Sequence, residues 1–349
     1  PHKRLLHKLH AYGIRGNLLN WIENFLTNRK QRVVLGEEKS SWRSVTSGIP
    51  QGSVLGPILF TVFINDMPKV VKALMKLFAD DAKFSKAIES FHDIAIIQED
   101  NNNLLEWSII WQMPLNVTKC KRLHYGKNNP NHEYTMGNTI LQTDVSEKDV
   151  GVTFDLGLEF RTHIRNMTSK ANSRVGIIKR SFSCLNKRNF LLLYKSLVRP
   201  ILEYCSSIWF PLYKGDANEI EKVQRRATKI VPSLSNLEYP QRLRALNLTT
   251  LHYRRKRTDI LQVYRLIHQI DKVDINQFFT FNDNPTRGHA WKLVKPRCKT
   301  KIRANSFSHR VINDWNALPD KVVEKDSLNA FKNALEKHWS KDPLKYNEL

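Results

Sequence analysis

No stretch of this chain approaches the ~20 consecutive apolar residues of a membrane-spanning helix, and residues 1–10 lack the apolar centre of a secretory signal. No membrane partner is expected. Cysteine is scarce too: Cys120, Cys184, Cys205 and Cys298 lie far apart with no C-x-x-C pair, which excludes a disulfide framework and a zinc knuckle. Reduced thiols in a soluble intracellular protein are the expectation, so the sequons at Asn116, Asn166 and Asn247 carry no meaning. The third shortage is acid, with 33 Asp+Glu against 56 Lys+Arg, a net charge of +23. Residues 1–150 hold 19 Lys+Arg against 15 Asp+Glu and residues 151–349 hold 37 against 18, so +19 of the excess is C-terminal. Such a field concentrates polyanions, and with eight Trp, ten Tyr and 16 Phe interleaved it points to nucleic acid. There is no internal repeat and no low-complexity tract.

Two acids break this pattern. Asp80 and Asp81 stand side by side after Leu77, Phe78 and Ala79, with Phe84 following, which suits two short strands meeting at a tight turn with the acids at its tip. In an apolar run a pair of carboxylates is expected to hold something cationic, because an unpaired buried charge costs several kcal/mol or more. Some thirty residues earlier, Ser47-Gly48-Ile49-Pro50-Gln51-Gly52 sets two glycines around a rigid proline, a backbone that a large planar ligand can approach closely.

Together these words resemble the palm of reverse transcriptases, and within that family the polymerases of non-LTR, jockey-like (LINE) retrotransposons. The resemblance rests on residues 47–60 (SGIPQGSVLGPILF), 78–81 (FADD), Leu115-Asn116 with Lys119-Cys120, 148–153 (KDVGVT) and 194–204 (YKSLVRPILEY), in that order. It implies an RNA-directed DNA polymerase that takes an RNA template, a DNA primer, their hybrid and deoxynucleoside triphosphates, with two Mg²⁺ ions at the site. No stable protein partner is implied, and the setting would be nucleus and cytoplasm. By the same resemblance Asp80 is a direct metal ligand and Asp81 a weaker one. Gly48, Pro50, Gln51 and Gly52 face the incoming nucleotide and templating base, and Lys119 protonates the departing pyrophosphate. The family's first catalytic aspartate would lie just ahead of Pro1, so the chain is expected to be a C-terminal piece, inactive alone. The alternative is a non-catalytic nucleic-acid-binding relic of a retroelement.

The expected fold is α+β: a partial fingers and palm over residues 1–158, a basic helical thumb over 159–281, and a small helical unit over 282–349 behind a linker at 282–285. Helices are expected at residues 2–9, 20–26, 52–67 and 91–107, and strands at 32–35, 42–46, 122–125, 134–136 and 150–154. From Phe160 a helix should turn Ile164, Met167, Ala171, Val175 and Ile178 inward and Arg161, Arg165, Lys170, Arg174, Lys179 and Arg180 outward. Arg161, Arg165, Lys170 and Arg174 are its candidate contacts to the nucleic-acid backbone. Residues 190–209 and 218–230 extend the bundle, with Asp216 as a cap, and 306–318 and 328–339 close the chain. Arg254-Arg255-Lys256-Arg257 reads equally as a phosphate-contacting run, through Arg254 and Arg255, or as a nuclear address.

Overall fold

In a computed structural model the chain divides into two compact units, Pro1–Asp144 and Val145–Leu349. Residues 1–126, 128–182, 185–282 and 288–347 are described; Cys184 and the expected linker beyond Asn282 lie outside them.

In the first unit, apolar residues three and four apart bring helices His2–Ala11, Gly16–Leu26, Leu55–Ile64 and Phe91–Ile110 onto one core through Leu5, Leu9, Ile22, Leu26, Leu59, Phe63, Leu104 and Trp107. Lys8 shares that inward face and is buried. Its ammonium meets Asp66 Oδ1 at 2.5 Å and the rings of Trp111, Phe63 and Trp107 at 3.8, 4.7 and 4.9 Å. A desolvated cation over ring faces gains about 2 kcal/mol, while burial lowers the lysine pKa and Asp66 opposes that shift.

The α+β reading holds, but the antiparallel sheet with packed helices that a palm implies is reduced to pairs: among the described residues every sheet has two strands, and Gln142–Thr143 with Lys121–Arg122 is parallel. The expected strands at 32–35 and 42–46 do not pair with one another. Instead Val34–Leu35 folds on Glu38–Lys39 across Gly36-Glu37, with Gly36 at φ +62°, and Lys30–Gln31 pairs with Arg43–Ser44. All eight paired residues are exposed, so no buried face recruits a third strand. The longest ladder joins Leu74–Phe78 to Asp81–Ser85, with Met75 and Leu77 turned to the core and Leu74 and Phe78 left 62% exposed.

The second unit begins at Val145, earlier than the boundary expected at 158, because the hairpin Ser146–Asp149/Val152–Asp155 packs by Val152 and Phe154 on the helical core. Helix Arg161–Ser181 buries all five of its expected inward residues, beside Tyr194, Val198, Leu202, Ile220 and Val223. Asp216 is not a cap; it lies in the first turn of Lys214–Thr228, its carboxylate 3.5 Å from Arg161 Nε. Nor is 282–349 a separate unit. Helix Leu251–Ile267 supplies Tyr253, Ile260, Val263 and Tyr264 to the core that holds Val311, Trp315, Phe331 and Leu335, so neither segment has an interior without the other.

Burial in this unit has a titration consequence. His252 is held down to about 4, first by burial and then by Arg255 and Lys256. The unfolded chain, near 6.5, binds that proton first, so the stabilisation is complete above pH 6.5 and is lost as pH falls toward 4. Melting temperature should therefore drop between pH 7 and pH 5, and drop less in His252→Gln. Parallel pH profiles in the two proteins would refute this.

Candidate functional site

The two acids sit at the tip of the longest hairpin. Phe78 pairs with Asp81, leaving Ala79 and Asp80 as a two-residue connection, and Ala79 takes φ +51°. A left-handed alanine costs about 1–2 kcal/mol where glycine is usual, so the turn stores strain at the position that aims Asp80. Sequence reasoning missed this because the local word, FADD, carries no glycine to mark the turn.

Both carboxylates are exposed, which corrects the expectation of acids buried in an apolar run. The strand alternates: Met75, Leu77 and Phe84 face the core, while Phe78 and Asp81 share the outward face. The base of the hairpin is held differently. Asp100, fully buried on helix Phe91–Ile110, accepts from the amides of Lys72 (2.8 Å) and Ala73 (2.9 Å), and Asn103 Nδ2 donates to Val70 O at 3.1 Å. A buried Asp in the middle of a helix was the available signal for that clamp.

The 47–54 turn reaches the same core through Ile49, and the helix that follows it through Leu55. Gly48 (φ +82°) offers its carbonyl to Arg29 Nη2 at 2.9 Å and bonds His2 Nε2 at 2.8 Å, so two side chains fix the turn from behind. Ser53 Oγ donates to Pro50 O (2.7 Å) and accepts from Gly56 N (3.0 Å), closing the entry to helix Leu55–Ile64. Gln51 and Gly52 are left exposed. Lys119 ends a short 3₁₀ turn, Val117–Lys119, and is likewise exposed, its neighbours Val117 and Cys120 tucked into a small cluster that shares Leu115 with the main core. Hairpin and turn thus stand on one hydrophobic base, and the lysine segment stands on a smaller cluster beside it.

Among the described residues no group of three His, Cys, Asp or Glu could cage a metal. Two adjacent exposed carboxylates do fit Mg²⁺ in its usual manner, bound through one or two carboxylates together with substrate phosphates.

On the second unit, Arg161, Arg165, Lys170 and Arg174 are exposed along one helix, with Arg161 also 5.2 Å from the Tyr213 ring. The 254–257 run behaves otherwise. Arg254 is bound bidentately by Glu203, Lys256 meets Asp314 at 3.0 Å and Arg257 meets Glu336 at 2.6 Å. Arg255 is 1% exposed, its guanidinium unpartnered and its pKa lowered to about 10 by burial. It cannot touch a phosphate backbone, and the expectation for it is withdrawn.

Residues 1–160 match the family model described as reverse transcriptase (RNA-dependent DNA polymerase). The RNA-directed DNA polymerase from mobile element jockey of Drosophila melanogaster is 26% identical over 221 residues, 60% of this chain and 24% of the relative. That of Drosophila funebris is 27% identical over 240 residues, 64% of this chain and 26% of the relative. The probable RNA-directed DNA polymerase from transposon X-element of Drosophila melanogaster is 26% identical over 221 residues, 60% of this chain and 24% of the relative. The chain spans about a quarter of the length of the curated relatives it matches. The acid-tipped hairpin and the glycine-flanked turn thus lie on one core inside the segment that matches the reverse-transcriptase model, and the chain is similar to the RNA-directed DNA polymerases of the jockey and X-element mobile elements.

Proposed function

We propose that the chain carries polymerase machinery of an RNA-directed DNA polymerase, adding deoxynucleotides to a DNA primer on an RNA template. The observation that supports this best is that the Asp80-Asp81 tip and the 47–54 turn rise from one core within the matched residues, with the Lys119 segment on a second cluster that adjoins it at Leu115. In this reading the first unit, with the hairpin after it, is palm and partial fingers. Helix Arg161–Ser181 is the thumb element that tracks the duplex. Two Mg²⁺ ions, when bound, supply activation of the primer hydroxyl and neutralisation of the triphosphate. Asp80 offers an oxygen to metal from the turn, and Asp81 supports it from the first position of the strand. Gln51 and the Gly52 backbone border the nucleotide and templating base. Lys119 delivers a proton to the leaving pyrophosphate. Arg161, Arg165, Lys170 and Arg174 face backbone phosphates. Work in both nucleus and cytoplasm belongs to the same reading.

One observation favours a second reading, a nucleic-acid-binding chain without catalysis: no third acid joins the pair among the described residues. RNA-templated primer extension separates the two, run with this chain and with the longest open reading frame that contains it. Template-dependent incorporation by either supports the polymerase. Primer–template binding without incorporation by either leaves the binding reading.

A further inference from the structure

The basic run that reads most like a phosphate binder, 254–257, is taken up by the fold, with Arg254, Lys256 and Arg257 paired to carboxylates and Arg255 buried. The centre of another stretch is not. Residues 284–313 contain eight Lys or Arg and no Asp or Glu, and at their centre Lys295, Arg297, Lys299, Lys301 and Arg303 alternate with Pro296, Cys298, Thr300 and Ile302. All five cations are exposed, and among the described residues none forms an ion pair or a side-chain hydrogen bond.

Their backbone is nevertheless held firmly. Val294 N donates to Thr280 O at 2.8 Å, and the side chain of Asn316 bonds both the amide and the carbonyl of Leu293, at 2.9 and 2.8 Å. His309 Nε2 lies 2.8 Å from Pro296 O, and Thr300 Oγ1 caps the short helix Lys301–Asn305. Pro296 also biases Lys295 toward extended backbone. Lys295 to Cys298 lie outside any helix or turn, and on an extended chain alternate residues recur at ~6.6 Å, a spacing open to Lys295 and Arg297, with Lys299 at the bend that leads into Lys301–Asn305. That repeat is close to the spacing of successive phosphates along a stretched single strand. A lipid surface suits it less, because surface-binding segments pair their cations with a broad apolar face, and here the interleaved residues are Pro296, Cys298 and Thr300, with Ile302 the one exposed aliphatic side chain among them.

We propose that residues 295–303 are a second nucleic-acid contact, which grips the phosphodiester backbone of a single strand. The reading of the chain as a nucleic-acid enzyme supplies only the identity of the polyanion.

The test is fluorescence anisotropy across a salt series, with the full 349-residue chain and labelled single-stranded RNA, single-stranded DNA, an RNA–DNA hybrid, and vesicles containing phosphatidylserine. Each single-strand phosphate contact contributes about 0.7 to the slope of log K against log salt. Lys295→Gln/Arg297→Gln/Lys299→Gln should therefore flatten the single-strand slope by about 2 and weaken binding at low salt by roughly tenfold or more. Lys295→Arg/Lys299→Arg, which keeps the charge, should leave the slope as it was. An unchanged single-strand slope in the glutamine variant overturns the proposal, as does a loss confined to vesicles or an equal loss in the arginine variant. Because the readout is binding, a failed primer extension leaves this result standing, and a successful one does not supply it.

Discussion

Asp80→Asn should cut RNA-templated incorporation by about a thousandfold while leaving primer–template affinity within about twofold. The substitution keeps size and hydrogen-bonding capacity but removes the negative charge that a hard cation requires, and a thousandfold corresponds to about 4 kcal/mol of lost transition-state stabilisation. Binding is spared because the carboxylate is exposed at a turn and the backbone contacts proposed for Arg161, Arg165 and Arg174 lie elsewhere. The measurement is single-turnover primer extension beside equilibrium binding, in whichever natural product is active. Asp81→Asn, one position into the strand, should cost less. Full activity in Asp80→Asn, or a loss explained by weaker binding, would sink the metal assignment.

Arg310→Met should be the most damaging single change to the second unit. Arg310 donates to both oxygens of Asp259 at 2.9 and 3.1 Å, and to Asn305 O and Ser207 O at 2.7 Å each, with its guanidinium 4.5 Å from the Phe210 ring. The side chains of the pair are only 11% and 5% exposed. Breaking a buried pair from one side costs about 3–5 kcal/mol, because the other charge stays buried without its partner. For a unit of this size that is a fall on the order of 10 °C in melting temperature. Burial already raises the Asp259 pKa, and Arg310 opposes the rise. Without Arg310 the folded-state pKa climbs further above the unfolded value, the fold then binds the proton more tightly, and the variant's deficit should shrink as pH is lowered. Asp259→Asn added to Arg310→Met should recover part of the loss. A deficit of the same size at pH 7.5 and pH 5 would contradict this account.

Helices were legible where their periodicity had only one interpretation. The inward stripe of Arg161–Ser181 was read residue by residue, because five apolar positions among strongly basic ones permit a single helical phase. The 254–257 run misled for the same geometric reason. Four consecutive residues point in directions spread over about 300° with no gap wider than about 100°, so on a helix packed on two sides at least one of them must point inward, and that one is Arg255. Lys8 follows the rule too, lying three residues after Leu5 and beside Leu9 on the buried face. The turn at Gly36-Glu37 was visible in its glycine, but the pairing around it was not. The paired residues are wholly exposed, so they carry no alternation from which the register could be read. At the candidate site the letters of the turn and the acid pair were legible, whereas the exposure of the carboxylates, the strain at Ala79 and the grip of Asp100 exist only in three dimensions.

That grip, with Met75, Leu77 and Phe84 packed on the core, leaves only the Phe78–Asp81 end of the Leu74–Ser85 hairpin as a short overhang. The hairpin's root is bolted by Asp100 to helix Phe91–Ile110, and its first strand, five residues or ~17 Å long, runs out to a tip whose outward face meets solvent. In a beam fixed at one end, thermal bending is smallest at the root and grows toward the free end, which is where both carboxylates ride. Their positional precision is therefore set by whatever braces the tip, and a ligand that bridges Asp80 to the 47–54 turn would stiffen the beam by giving it a second support.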